Sequence, residues 1–158
     1  MKKAISWISI FLLLMQLSAI TFAEENKKQP EIKAAAAILA DRASGRILYE
    51  KEVNAKCYPA STTKIMTGLL AIENLNFGDM VTASATAVDV DRDGSNMGIL
   101  EGEQLTVEQL LYGLMVHSAN DAANVLAESV AGSITSFVDK MNSRAAEIGM
   151  KNTHFANP

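Results

Sequence analysis

Pro59-Ala60-Ser61-Thr62-Thr63-Lys64-Ile65-Met66-Thr67-Gly68-Leu69-Leu70-Ala71-Ile72-Glu73 is the stretch on which the reading of this chain turns. Ile65, Met66, Leu69, Leu70 and Ile72 recur at helical spacing, and a Pro followed by hydroxyl residues marks a helix start. Ser61 and Lys64 then stand three positions apart on the first turn, about 60° around the axis and about 4.5 Å along it, close enough to touch. A Ser hydroxyl is a weak nucleophile until a base takes its proton, and a Lys amine is such a base once burial or a nearby positive charge lowers its proton affinity. Unpaired backbone N–H groups at the helix start help to stabilise an oxyanion. The chemistry this arrangement permits is acyl transfer.

On the N-terminal side, Ala34 to Asp41 and Arg46 to Glu50 are apolar stretches joined by Arg42-Ala43-Ser44-Gly45, which predicts a β-hairpin with Gly at a positive φ. Residues 24–33 lack an apolar period and read as a flexible leader. Residues 1–23 begin with Lys2 and Lys3, continue in an apolar run from Ala4 to Phe22, and end in Thr21-Phe22-Ala23 ahead of Glu24. That pattern is a secretory signal peptide. An uncleaved membrane anchor is the rival reading, since the run approaches the roughly 20 residues a bilayer requires, but five polar residues dilute it.

On the C-terminal side, Met80 to Thr82 and Gln104 to Leu105 suit short strands, with an extended surface excursion between them that carries Asp89, Asp91, Asp93, Gly94 and Gly98. Thr106-Val107-Glu108-Gln109 is a capping-box pattern, followed by a stripe of Val107, Leu110, Leu111 and Leu114 on a helix ending near Val116. Further helices are expected from Asn120 to Ala131, stopped by Gly132, and from Ile134 to Ile148, stopped by Gly149, with Phe137, Met141, Ala145 and Ile148 facing inward. A hairpin followed by a helix cluster, without an internal repeat, makes a mixed α/β (α+β) domain.

A chain of 158 residues with 49% hydrophobic and 20% charged residues is neither disordered nor a disulfide scaffold. The net charge is −4, and loss of residues 1–23 would leave 12 basic against 18 acidic residues, so nucleic acid is excluded as a partner. Cys57, the one Cys, reads as a small buried hydrophobe. Asp89-x-Asp91-x-Asp93-Gly94 begins like a calcium loop but has Leu100 where a bidentate Glu is required. His117 adjoins Ser118 but points away from it on a helix, and His154 has no second His at ligand spacing, so neither a metal nor a cofactor is expected. Met66, Met97, Met115, Met141 and Met150 read as core.

Ser118-Ala119-Asn120 fills the short link between two apolar helices. With 12 Ser, 10 Lys and 10 Asn, S-x-x-K and S-x-N are each expected about once by chance. Placement lifts both, one opening a helix after Pro59 and the other projecting from a link. Ser118 could pass a proton to a leaving amine, and Asn120 could hold Lys64 or a substrate amide. The bland alternative for Ser118 and Asn120 is a helix N-cap.

S-x-x-K and S-x-N belong to the motif set of penicillin-binding proteins and β-lactamases. Together with Gly94-Ser95-Asn96-Met97-Gly98 and His117-Ser118-Ala119-Asn120-Asp121-Ala122-Ala123, the Ser61 segment resembles the N-terminal half of the low-molecular-mass penicillin-binding D-alanyl-D-alanine carboxypeptidases, over residues 34–158. The resemblance implies a β-lactamase/transpeptidase-like fold, a sheet flanked by a helical cluster, in which 34–158 form part of a catalytic domain. It implies Ser61 as acyl-ester nucleophile, Lys64 as proton acceptor, Ser118 as proton relay and Asn120 as substrate-binding. Peptidoglycan stem peptides ending in D-Ala-D-Ala are then the substrate, and β-lactams the inhibitors. The place of action is the extracytoplasmic face of a bacterial membrane or its cell wall, with peripheral membrane association in a full-length form. The third family motif, K-T-G on a strand beside the active Ser, does not occur in the 158 residues, so the catalytic domain is expected to be incomplete at its C-terminus. A non-catalytic envelope remnant and a β-lactamase stay open as alternatives.

Overall fold

The computed structural model describes residues 31–91 and 93–158. The signal-peptide reading of 1–23 and the leader up to residue 30 lie outside the described residues, while 31–33 carry no regular structure. Among the described residues no helix is long and apolar enough to cross a membrane. The described residues divide into two compact units, one ending at Lys56 and the other spanning Cys57–Pro158.

In the first unit, β1 (Ala37–Ala40) pairs antiparallel with β2 (Ile47–Lys51), Ala37 opposite Lys51 and Leu39 opposite Tyr49. The connection closes as its composition predicts. Gly45 takes φ +70°, its N–H donates to Asp41 O at 2.8 Å, and the Ser44 N–H caps the Asp41 carboxylate at 2.8 Å.

The second unit begins with a 3₁₀ turn, Ala60–Thr63, that runs directly into α1 (Lys64–Asn74). Then come β3 (Met80–Thr82), α2 (Ala85–Val88), β4 (Gln104–Thr106), α3 (Val107–Val116), α4 (Asn120–Ala131) and α5 (Ile134–Glu147). β3 and β4 form an antiparallel pair, Val81 opposite Leu105. At α3 the capping box is complete: Thr106 Oγ1 accepts from the Gln109 N–H and Gln109 Oε1 from the Thr106 N–H. Gly132 ends α4 in the left-handed region at φ +78°, where a side chain would cost about 1 kcal/mol or more.

Two hydrophobic clusters share one wall. Leu110, Leu114, Ala122, Val125 and Leu126 centre the first, between α3 and α4; Met66, Leu70, Phe137, Met141, Ala145 and Phe155 form the second, between α1 and α5. Both α1 and α4 send residues into each cluster, Ala71 and Val125 to the first, Leu70 and Ala127 to the second. The segment after α5 folds back and is tied down by one side chain. Asn142 Oδ1 accepts the Phe155 N–H at 2.8 Å and its Nδ2 donates to the Phe155 carbonyl at 2.9 Å, so both backbone groups of that residue are satisfied. Thr67, fully buried on α1, donates its hydroxyl to the Pro158 carbonyl.

Several expectations need correction. Ser61 lies in a 3₁₀ turn rather than in the α-helix itself, and α2, capped by Ser84, has no counterpart in the apolar periodicity because Ala-Thr-Ala-Val is too short to show one. Met66 and Met141 are core, but Met97, Met115 and Met150 are exposed. Ile65 and Ile72 sit on the open face of α1, where they line an apolar groove of about 560 Å³ with Tyr112, Met115 and Val116 of α3. Ile148 lies past the last turn of α5 and faces outward, and Cys57 is exposed, not buried.

Phe137 has no exposed surface and centres the second cluster. Phe137→Ala is expected to lower the free energy of unfolding by about 3–5 kcal/mol, read from the urea midpoint at unchanged slope. Ile65→Ala, on the open face, should cost far less.

Candidate active site

The Ser61 turn owes its shape to the residues around it. Pro59 supplies a fixed φ of −75°, and its carbonyl accepts the Thr62 N–H at 3.2 Å and the Thr62 hydroxyl at 2.8 Å. Ala60 is held at φ +48°, a left-handed conformation that costs a non-glycine residue about 1–3 kcal/mol. The backbone N–H of Lys64 closes the turn on the carbonyls of Ser61 and Thr62. Three residues per turn bring positions i and i+3 into line, so the 3₁₀ geometry sets the Ser61 and Lys64 side chains on one side of the backbone more closely than the α-helical turn expected from the sequence.

Ser61 is exposed, and among the described residues its hydroxyl makes no hydrogen bond. Lys64 differs in both respects. Its side chain is buried on α1, 8% exposed, and Nζ donates to Asn120 Oδ1 at 2.7 Å across 56 residues of sequence. Burial takes the charged form out of water and lowers the amine below the ordinary lysine value.

Asn120 is the first residue of α4, and the N-cap position belongs to Ala119, which makes no side-chain cap bond. The N-cap reading of Ser118 and Asn120 therefore falls, because the Asn120 side chain reaches Lys64 instead of its own helix. Ser118 lies in the link at φ +59°, the second strained non-glycine residue beside this site, and its buried Oγ has no hydrogen-bond partner among the described residues. A buried hydroxyl without a partner costs about 1–3 kcal/mol. Lys64 and Asn120 are thus brought into contact, whereas Ser61 and Ser118 each present an unengaged hydroxyl. His117 is exposed and enters only through its carbonyl, which accepts from Ser95 Oγ.

Part of the site escaped the sequence reading. The 94–99 loop, read as a surface excursion, is bound to the link. Ser95 O accepts the Asn120 N–H at 2.8 Å, and Gly94 sits so close that a Cβ there would be 2.7 Å from Asn120 Nδ2. Met97 packs its thioether over Gly113 of α3, where an added Cβ would fall 1.9 Å from the sulfur. Gly94 and Gly113 thus serve close approach. Asp121, 1% exposed, binds the same loop through its backbone N–H groups. The signal available was an Asp in the first turn of a predicted helix, which by itself indicates no more than a favourable helix dipole. Among the described residues no three His, Cys, Asp or Glu side chains are grouped to hold a metal.

The model of the D-alanyl-D-alanine carboxypeptidase family, peptidase S11, matches residues 23–158. Among curated relatives, D-alanyl-D-alanine carboxypeptidase DacF of Bacillus subtilis is 39% identical over 166 residues, covering 100% of this chain and 42% of the relative. DacC of Escherichia coli is 40% identical over 156 residues, 93% of this chain and 39% of its own. The chain thus spans about two fifths of the length of these relatives. Among solved structures, the carboxypeptidase DacD from Francisella tularensis superposes with a TM-score of 0.76 at 40% identity, over 82% of this chain and 32% of that one. Penicillin binding protein 5 from Haemophilus influenzae gives 0.75 at 35% identity, over 82% and 39%. The similarity supports the expected mixed α/β fold, of which this chain carries a part.

The depressed Lys64 amine has a measurable sign. Because the fold disfavours its charged form, the folded state is penalised at every pH below the folded value, and the penalty fades as pH rises through that value towards the ordinary one. The stability of the wild type relative to Lys64→Met should therefore rise with pH on the approach to the ordinary lysine value of 10.5, measured by urea unfolding. A flat or falling difference would contradict a desolvated amine.

Proposed function

This chain belongs to the D-alanyl-D-alanine carboxypeptidase family, and from that premise we propose that its site performs acyl transfer on peptidoglycan stem peptides ending in D-Ala-D-Ala. Ser61 Oγ attacks the carbonyl carbon of the penultimate D-Ala while its proton passes to the Lys64 amine. The C–N bond to the last D-Ala then breaks, the leaving amine takes a proton through the Ser118 hydroxyl, and water later hydrolyses the ester on Ser61. Asn120 holds Lys64 and the substrate amide. β-Lactams mimic the dipeptide and remain on Ser61 as inhibitors.

The observation that carries this reading is the state of Lys64. An exposed lysine at neutral pH is protonated and cannot accept a proton; this one is buried, its amine is lowered, and its hydrogen bond goes to a neutral amide oxygen, not to a carboxylate that would hold the charge. A general base of this kind contributes about 10²–10⁴ in rate. The unengaged hydroxyls of Ser61 and Ser118 fit the two remaining roles. Residues 34–158 are then part of a catalytic domain and carry its acylating groups, while the K-T-G triplet that the resemblance implies is not among the 158 residues.

We place the reaction outside the cytoplasm, with residues 1–23 as the signal for export and peripheral membrane contact in a longer form. The basic start, apolar run and small residues before Glu24 support this. N-terminal sequencing of the exported protein should begin at Glu24; a start at Met1 would favour the anchor.

Labelled penicillin should attach covalently to Ser61, located by mass spectrometry of the peptide containing it. Ser61→Ala abolishes the adduct, and Lys64→Ala slows its formation by about 10² or more. An adduct that survives Ser61→Ala would overturn the nucleophile assignment, and a wild-type chain that takes no label would overturn acyl transfer for these 158 residues.

A further inference from the structure

Three consecutive backbone N–H groups end on one buried side chain. Asp121 Oδ1 accepts from Met97 N at 3.0 Å, and Oδ2 accepts from Gly98 N at 2.8 Å and Ile99 N at 3.0 Å; Oδ1 also takes the Ala122 N–H of its own helix at 2.8 Å. The carboxylate is 1% exposed and sits in the first turn of α4. Removing a carboxylate from water costs several kcal/mol, so it persists only where its oxygens are fully served. Here the donors are supplied by a loop 22 to 24 residues earlier in the chain. Gly98, at φ +77°, gives that loop the bend that points successive N–H groups to one side.

The same loop reaches the candidate active site at three further points. Ser95 O accepts the Asn120 N–H, Ser95 Oγ donates to the His117 carbonyl, and the Met97 side chain lies on Gly113 one turn before the Ser118 link. Asn120, whose backbone is held in this way, is the residue whose Oδ1 receives the Lys64 amine.

We propose that Asp121 is a positioning residue for the acylating site. By drawing the 97–99 backbone onto the start of α4, it holds the Ser95 strap against residues 117–120 and so keeps Asn120 on Lys64. Among the described residues Asp121 makes no hydrogen bond to Ser61 or Lys64, and it acts through Asn120. The kinetic part of this inference rests on the acyl-transfer reading; the structural part does not.

Asp121→Asn, of nearly the same volume, turns one acceptor oxygen into a donor facing N–H groups. It should speed hydrogen exchange at Met97, Gly98 and Ile99 by about a hundredfold while Leu110 in the core changes little, and lower the second-order rate of penicillin acylation by about tenfold. In an Asn120→Ala background the same change should cost less than about threefold further, because its effect passes through Asn120. Met141→Ala, which weakens the other cluster, should leave the acylation rate within about twofold. Additive losses in the Asn120→Ala background, or unchanged exchange at 97–99, would overturn the proposal. If the wild-type chain takes no penicillin, the acyl-transfer reading fails and exchange alone decides the role of Asp121. If Asp121→Asn does not fold, exchange in the wild type decides: protection of the three amides comparable with Leu110 supports the clamp, and exchange at open-loop rates refutes it.

Discussion

A primary amine taken out of water must find an acceptor, and the one Lys64 meets among the described residues is the side-chain oxygen of Asn120, 2.7 Å away. That single bond joins the start of α1 to the start of α4, the two helices that contribute to both hydrophobic clusters. The clusters bring the helices together, but apolar packing is non-directional and would tolerate a small slide or rotation. The amine and the amide do not, because a displacement of about 1 Å would leave a buried polar group without a partner. The packing thus supplies most of the stability and the polar contact selects the alignment. The same contact fixes where the Lys64 nitrogen lies, so the alignment of the core and the placement of the proposed base are one constraint.

The polar contacts beyond it extend outward in order. Asn120 is held through its N–H by Ser95, Ser95 follows the turn that the Gly94 N–H closes on the Asp91 carbonyl, and the 97–99 backbone is held by Asp121. Gly113 and Gly94 let the loop sit at a distance that no side chain would permit. What reads in the sequence as a polar excursion between two short strands is one wall of the site.

What the sequence disclosed and what it hid follow from the range of each interaction. Arg42-Ala43-Ser44-Gly45, Thr106-Val107-Glu108-Gln109 and Gly132 each specify structure through contacts within a few residues, and each appears where expected. Ser61, Lys64, Ser118 and Asn120 are legible as motifs, and the sequence offers Asn120 either Lys64 or a substrate amide, of which the Lys64 contact is present. The clamp of Asp121 was not legible, because its partners are backbone N–H groups, which every residue but proline carries. The inward or outward sense of Met97, Met115, Ile65 and Ile148 was equally hidden: an apolar periodicity records that a face is apolar, and not what, if anything, lies against it.

The left-handed backbone at Ala60 and Ser118 has a consequence for anyone redesigning this protein. A procedure that scored each position by local conformational fit would replace both residues with glycine or asparagine and would gain thermal stability from the change. At position 118 that gain would remove the hydroxyl, and at position 60 it would loosen the turn that presents Ser61. The stabilising substitutions easiest to find on this chain therefore cluster at the proposed catalytic groups, and a stability screen run without a functional readout would select against them.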